Sequence, residues 1–275
     1  MNQIQKYTWL IETIRSAGKI SHKDLSARWS DNKNMSGGNP LLRVTFNRWR
    51  DAILELFSID IKCHKIGGYL YYIANPEDID EDKLKKWMLD SFAVGSILSE
   101  NLSLKNRILV DEIPSGRNYL TTIIEAMKES RVVSIVYRPF SQLHDHTSLI
   151  EPYCIKLFEN RWYVLARNVN YEDIRLYGLD RIQHAEITEN IFTLPRGFDA
   201  SAYFDSVYVI VVDDNVKPER IVIRANKNHK LYLMSLPLHH SQRLIKDYGE
   251  YADFELYLSP TYDFVMKLLH VGAMV

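Results

Sequence analysis

Basic and amide side chains crowd one short segment, Arg43-Val-Thr-Phe-Asn-Arg-Trp-Arg50. A guanidinium group can bond phosphate or guanine through two parallel hydrogen bonds, and an Asn amide can bond adenine in the same way. Read as a helix from about Arg43 to Phe57, this stretch turns by about 100° per residue. Phe46, Trp49, Ile53, Leu56 and Phe57 then make a core face. Val44, Asn47, Arg48, Asp51 and Glu55 lie opposite, with Arg43 and Arg50 at the edge. The first two turns are basic or amide-bearing and the acids come later, which suits a helix whose N-terminal half enters a major groove. Arg43, Thr45, Asn47, Arg48 and Arg50 are therefore candidate contacts to double-stranded DNA. A surface helix of mixed charge would carry the same residues.

A second grouping lies farther on. In the strand-like run Ile174–Arg181, alternation places Arg175, Tyr177, Leu179 and Arg181 on one side, unless Gly178 breaks it. In Trp162–Leu165, Tyr163 and Leu165 share a side. Two arginines and a tyrosine on a small sheet would make a phosphate-binding patch with a ring for stacking. The alternative is that Tyr163 and Arg181 only tie strands together. Other groupings carry less. His144-Asp-His146 has metal-like spacing but no third ligand cluster, so it reads as a polar loop. His239-His240-Ser241 lacks a Gly-x-Ser-x-Gly elbow and a placed acid. Cys154 sits in an apolar run as a buried thiol. There is no Walker loop and no dinucleotide fingerprint. No catalytic residue, metal or cofactor is assigned, and a non-enzyme is expected.

The elements that must position these residues are ordinary for a globular chain. It has 275 residues, 46% of them apolar, and a net charge of −1. That excludes a disordered chain, a collagen-like repeat and a disulfide scaffold. Apolar runs are strand-sized, so no membrane span is expected. The two cysteines, Cys63 and Cys154, and the polar N-terminus fit a reduced, cytoplasmic protein. Charge is uneven. Residues 1–75 hold eleven Lys and Arg against six Asp and Glu, a net charge of +5, leaving −6 for the rest. A basic head on an acidic body fits one domain meeting a polyanion.

The head should begin with a helix carrying Ile4, Tyr7, Leu10, Ile11 and Ile14 and ending at Gly18. Ser21-His-Lys-Asp24 reads as a capping box for a second helix. A polar loop, Asp31 to Pro40, precedes the third. Runs at Ile59–Cys63 and Tyr69–Ile73 flank Gly67-Gly68 as a hairpin. Three helices and a hairpin predict a winged helix-turn-helix. An acidic run at 77–82 reads as a solvated linker, followed by Leu84, Trp87, Met88 and Phe92 at helical spacing, available to a core or a dimer contact. Ile108-Leu-Val110 is strand-like, and a helix surrounds Leu120, Ile123, Ile124 and Met127. Five strands follow, at Val132–Tyr137, Ser148–Leu157, Arg161–Arg167, Ile174–Leu179 and Ala185–Thr188, and predict a bent antiparallel sheet or barrel. The tail should hold strands at Val207–Val212, Glu219–Arg224 and Tyr251–Leu258, with helices near Lys230 and at Tyr262–Leu269.

Arg161-Trp-Tyr-Val-Leu165, with Glu151-Pro152-Tyr153 before it and Arg175-Leu-Tyr-Gly-Leu-Asp-Arg-Ile182 after it, resembles the WYL-domain family of bacterial transcriptional regulators. Val164 replaces the leucine of the family's tripeptide. Ile113-Pro-Ser-Gly116 and Ile135-Val-Tyr137 resemble the family's lead-in. Lys217-Pro218-Glu-Arg-Ile221, Leu236-Pro-Leu-His-His-Ser-Gln242 and Ser259-Pro-Thr-Tyr-Asp-Phe264 resemble its C-terminal extension. The resemblance implies an α+β multidomain chain: winged helix-turn-helix at 1–75, helical linker and dimerisation region at 76–131, a small Sm-like β-barrel at 132–200, and an α+β module at 201–275. Such extensions continue with a further strand and helix, so the last module is expected to be incomplete. The Asp31–Leu42 loop is also longer than a tight helix-turn-helix turn. The resemblance further implies a DNA-binding regulator that senses a phosphate-bearing ligand, a single-stranded nucleic acid or nucleotide, through Tyr137, Ser148, Tyr163, Arg175 and Arg181. Because half-sites in duplex DNA are read by two-fold dimers, a homodimer is expected, through the linker region or the C-terminal module. Two other classes stand beside it: a single-strand-binding accessory of a nucleic-acid-processing or defence system, and a hydrolase using His239, His240 and Ser241.

Overall fold

The computed structural model describes residues 3–65, 68–109, 116–140, 144–212 and 215–272, apart from the side chains of Asp80, Glu100 and Leu102. The chain divides into two units, Met1–Val110 and Asp111–Val275. Both combine helices with antiparallel sheets, an α+β chain.

In the first unit, α1 (Gln3–Ala17) buries Tyr7, Leu10, Ile11 and Ile14 on one stripe. After β1 (Ile20–Ser21), α2 (His22–Asp31) starts on the expected cap. The Ser21 hydroxyl accepts the Asp24 N–H at 3.1 Å and donates to the Asp24 carboxylate at 2.7 Å. The segment read as a polar loop contains a one-turn helix, α3 (Lys33–Ser36). The Asn32 side chain accepts the Met35 N–H, and Met35 is buried, which fixes that turn. α4 (Arg43–Phe57) buries Phe46, Trp49, Ile53 and Phe57. Leu56, expected in the core, is exposed because it lies at the margin of this stripe, in the last turn. β2 (Ile61–His64) and β3 (Leu70–Ile73) form the expected antiparallel hairpin, with β1 on the other edge of β3. The tip residue Gly67 lies outside the described residues.

The acidic run is a helical turn rather than a linker. α5 (Glu77–Glu81) buries Ile79. α6 (Lys83–Glu100) is capped by Asp82, whose carboxylate accepts the Lys85 N–H at 2.9 Å. Leu89 is fully buried, and Met88 and Phe92 pack on the same core. Ile108 and Leu109 make no strand: no described strand pairs with them, and Leu109 is exposed. Val110 lies outside the described residues.

The second unit opens with α7 (Leu120–Glu129), which packs Ile123 and Ala126 against a five-stranded sheet. Its strands are β4 (Arg131–Tyr137), β5 (His146–Phe158), β6 (Arg161–Asn168), β7 (Ile174–Gly178) and β8 (Ile182–Ile191), in the order β7-β6-β5-β4-β8. β7 and β8 are consecutive in the chain yet lie at opposite edges, joined by the 3-10 turn Leu179–Arg181. A three-residue link between opposite edges requires the sheet to curl strongly. The expected barrel does not close, because among the described residues no ladder joins β7 to β8. Where such a ladder would form, the Tyr137 hydroxyl instead accepts the Gly178 N–H at 3.2 Å.

The rest of this unit holds α8 (Ala200–Phe204), β9 (Glu219–Asn226), α9 (His229–Ser235), β10 (Arg243–Asp247), β11 (Tyr251–Leu258) and α10 (Tyr262–Val271). The sheet order is β10-β11-β9. β10 was not anticipated: all five of its residues are exposed, so it has no burial alternation to read. The strand expected at Val207–Val212 reduces to one bridge from Val207 to Ser259. Val209 spends its carbonyl on the Lys156 ammonium, at 2.8 Å. The final residues 273–275, and Ile113–Ser115 of the lead-in, lie outside the described residues. No helix among the described residues is long and apolar enough to cross a membrane.

Gly116 locks the 3-10 turn in place. Its φ is +64°, and a Cβ there would come within 2.5 Å of the Asp180 nitrogen and 2.6 Å of the Leu179 carbonyl carbon. Gly116→Ala should therefore cost about 2–4 kcal/mol, summing a left-handed backbone and a backbone clash. Gly178→Ala should cost less, because its Cβ would meet only the side-chain ends of Asp180 and Arg181. Urea midpoints of the two variants check the order.

Candidate functional site

Two places gather the sequence-predicted residues, one in each unit. On α4, Arg43, Asn47 and Arg48 are exposed, whereas Thr45 and Arg50 are partly covered. Arg48 and Asn47 share a shallow groove with Val44, Asp51 and Glu55. Arg50 reaches back to Asp51 at 3.8 Å. Arg43 lies close to His22, whose imidazole is pushed below its ordinary pKa by burial first and by that charge second. The face is thus basic at the helix start and mixed beyond it.

In the second unit a cavity of about 400 Å³ is lined by Tyr137, His146, Ser148, Tyr171, Arg175, Tyr177 and Arg181, among others. Four of the five expected ligand residues meet there: Tyr137, Ser148, Arg175 and Arg181. Tyr163 does not. In the β6–β7 register, Val164 pairs with Tyr177 and Tyr163 with Gly178. Paired residues share a face, so Tyr163 lies on the face opposite Tyr177 and Arg175. It is buried, and its phenol is pushed up by that burial. The expected alternation from Arg175 to Arg181 also stops at Gly178, where the chain leaves the strand. The 3-10 turn, rather than strand period, carries Arg181 to the cavity.

The two guanidiniums are held differently. Arg175 is clamped by Asp173, with Nε at 2.9 Å from Oδ1 and Nη2 at 2.8 Å from Oδ2, and it stacks at 4.5 Å over Tyr171. That carboxylate raises the Arg175 pKa further. Arg181 lies over Phe140 at 4.7 Å and Tyr137 at 5.4 Å. Its Nε is buried without a hydrogen-bond partner among the described residues. Tyr137 and Tyr177 meet edge to face at 5.1 Å, and burial raises both phenols. Such a site offers cationic forks beside aromatic faces, the equipment for a phosphate attached to a flat ring.

Sequence reasoning missed Tyr171, His146 and the residue that organises the loop, Asn168. Asn168 is fully buried; its amide donates to the Tyr177 hydroxyl at 2.8 Å, and its carbonyl accepts the N–H of Asn170 at 2.9 Å and of Tyr171 at 3.2 Å. An Asn ending a strand two residues before another Asn was the available turn signal. Elsewhere, Asp145 of the His144–His146 segment is paired with Arg138 at 2.5 Å. The Ser241 hydroxyl lies 2.7 Å from His239 Nδ1, while it accepts the Tyr257 N–H at 2.9 Å and donates to the Tyr257 carbonyl at 3.1 Å. Those contacts tie the segment before β10 to β11. Cys154 is partly buried, and desolvation pushes its thiol up to about 11.

Asn168→Ala would leave the N–H groups of Asn170 and Tyr171 and the buried Tyr177 side chain without their partner, a loss of about 1–3 kcal/mol. Urea unfolding should register it, and hydrogen exchange should quicken at Asn170 and Tyr171 first.

The WYL domain family model matches residues 118–187, which hold every cavity residue named above. Among solved structures, the chain is similar to proteasome accessory factor B/C (PafBC) of Arthrobacter aurescens, at 17% identity and a TM-score of 0.33. That match covers 78% of this chain and 35% of PafBC, so the chain spans about a third of that protein's length. It is also similar to a CRISPR Cas-related protein, at 11% identity and a TM-score of 0.35, over 83% of this chain and 70% of the other. The comparison with curated proteins finds no match. Residues 118–187, which include the Trp162-Tyr-Val segment of β6 and the cavity, are thus the part of this chain that matches the WYL domain.

Proposed function

We propose that this protein is a non-enzymatic, cytoplasmic DNA-binding transcriptional regulator whose WYL domain senses a phosphate-bearing ligand, a nucleotide or a short single strand. The observation that carries the reading is the convergence of Arg175 and Arg181 with Tyr137 and Ser148 on one cavity inside the WYL match. Arg181, held in the cavity wall by the 3-10 turn, takes the phosphate; Tyr137 and Tyr171 offer ring faces to a base. The ligand acts on transcription through its different affinity for DNA-competent and incompetent states.

The first unit supports the DNA half of the reading. Helices α1, α2 and α4 with the β2–β3 hairpin follow the order of a winged helix-turn-helix, and α4 presents Arg43, Asn47 and Arg48 to solvent. Half-sites in a duplex are read by two-fold dimers, so the acting form is a homodimer. Asp51 and Glu55 in the same groove favour a second reading, in which α4 docks protein and only the cavity meets nucleic acid. The two separate in a duplex-binding assay with competitor DNA, because a regulator binds its operator far above non-specific DNA.

For the cavity, fluorescence anisotropy with labelled short oligonucleotides is the measurement. Arg175→Lys and Arg181→Lys keep charge and lose the fork, so each should weaken binding, with Arg181→Lys the more damaging. Asp173→Asn should tighten it about two- to fivefold, by removing a competing surface carboxylate. Full binding by both lysine variants would leave general charge attraction only.

For α4, Arg48→Ala should cost about 1–3 kcal/mol of operator affinity if it reads a base, and Arg43→Ala should flatten the salt dependence. Unchanged affinity and salt slope in the double variant would take this helix out of the interface.

A further inference from the structure

A second cavity, of about 550 Å³, takes all but two of its lining residues, Phe158 and Glu159, from beyond the residues matched to the WYL domain. Its size lies within the roughly 300–1,000 Å³ that small-molecule sites occupy. Ile223 and Ala225 of β9 and Phe254 and Leu256 of β11 pack with Leu233 of α9 and Phe264 of α10, so both helices cover one face of that sheet. The cavity is lined by Leu233 and Leu236 of α9, by Val271 of α10, and by Phe158, Tyr208 and Leu238. Leu233 and Val271 are buried, whereas Leu236 is 79% exposed. Exposed apolar surface gathered on a concave wall marks a binding site rather than a covered core. The wall is braced at Val209, whose carbonyl accepts the Lys156 ammonium at 2.8 Å, while that ammonium lies 3.9 Å over the Phe204 ring.

Charges of both signs line the same cavity. Lys267 and His270 come from α10, His229 opens α9, and Glu159 comes from the turn between β5 and β6. Among the described residues, neither Glu159 nor Lys267 forms an ion pair or a side-chain hydrogen bond. Two opposite charges thus share one apolar cavity without neutralising each other. Glu159 is held there in an unfavourable backbone. Phe158 pairs with Arg161, so the turn is two residues long, and Glu159 and Asn160 have φ of +45° and +60°. Asn adopts that left-handed conformation readily and Glu does not. Residues held in this way cluster at ligand sites. The carboxylate acts on the cavity wall, since burial first, and then Asp263 and Glu159, raise the Tyr208 phenol. It also opposes a phosphate, which sets this cavity apart from the one holding Arg175 and Arg181.

We propose that this cavity binds an apolar α-amino acid, whose carboxylate meets Lys267, whose ammonium meets Glu159, and whose side chain lies against Leu233, Leu236 and Val271. Three features together set that chemistry: a cation for the acid group, an anion for the amine, and an apolar wall for what they carry. His270 follows Lys267 by three residues, on the same face of α10, and stands beside the same ligand carboxylate. A molecule held by Glu159 and Lys267 links the β5–β6 turn to α10 and stabilises the folded unit as its concentration rises. The cavity shares no lining residue with the one that holds Arg175 and Arg181.

Isothermal titration calorimetry of the full chain, with L-phenylalanine and L-leucine as probes, is the measurement. At least one should bind and raise the thermal midpoint. Its deaminated acid (phenylpropionate or isocaproate) and its decarboxylated amine (phenethylamine or isoamylamine) should each bind about three- to tenfold more weakly. Glu159→Gln should weaken the amino acid by a similar factor and leave the deaminated acid no weaker. Lys267→Met should weaken the amino acid and leave the amine no weaker. Neither variant should alter oligonucleotide anisotropy. Binding of neither amino acid at millimolar concentration overturns the proposal. A deaminated acid that binds the wild-type chain as tightly as its amino acid also overturns it, and that comparison needs no variant to fold. Equal losses of acid, amine and amino acid in either variant overturn the assigned charge pairing.

Discussion

Three residues, Leu179–Arg181, carry the chain from one edge of a five-stranded sheet to the other, and most of the second unit follows from that constraint. A link this short forces the sheet to curl until Tyr137 on β4 reaches Gly178 on β7. The turn has no room to drift. Gly116 presses its backbone from one side, and Gly178 leaves the space that the Asp180 and Arg181 side chains occupy. Asp180 is further drawn to Arg161 of β6 at 3.6 Å. Position is therefore imposed on Arg181 by backbone packing, which is stiffer than a side-chain hydrogen bond, and its Nε has no hydrogen-bond partner among the described residues.

The opposite wall of the cavity is built by different means. There the loop after β6 is organised by one buried amide, Asn168, which reads two backbone N–H groups and a phenol at once. Buried polar groups of this kind stabilise only when fully paired, and the pairing here fixes Tyr171 and, through Asp173, Arg175. One guanidinium is thus placed by sterics and left open, and the other is placed by a hydrogen-bond network and already engaged.

Much of this was legible in the sequence. Helical stripes such as Leu10, Ile11 and Ile14, the Ser21 cap, and strands rich in branched residues were readable because burial imposes period and caps impose residue type. What escaped was whatever depends on partners. Tyr163 looked central in its own strand, but only the register with β7 decides which face it takes. Arg181 was expected on the right side for the wrong reason, since a 3-10 turn replaced the strand alternation. β10 has no buried residue to reveal it, and of Leu84, Trp87, Met88 and Phe92, read together at helical spacing, only Met88 and Phe92 join Leu89 at the core.

The asymmetry of the two arginines has a consequence for how a ligand would be read. An anion meeting Arg181 in the cavity gains a charge-assisted bond to a guanidinium that forms no ion pair among the described residues. An anion meeting Arg175 must share it with Asp173, and the exposed pair it disturbs is itself weak, about 0–1 kcal/mol. Under the proposed function, affinity is then set at the clamped turn and discrimination at the Asn168 loop, where Tyr171 and Arg175 can answer to the shape of what is attached to the phosphate. The curl of the sheet is what brings those two walls face to face across the cavity.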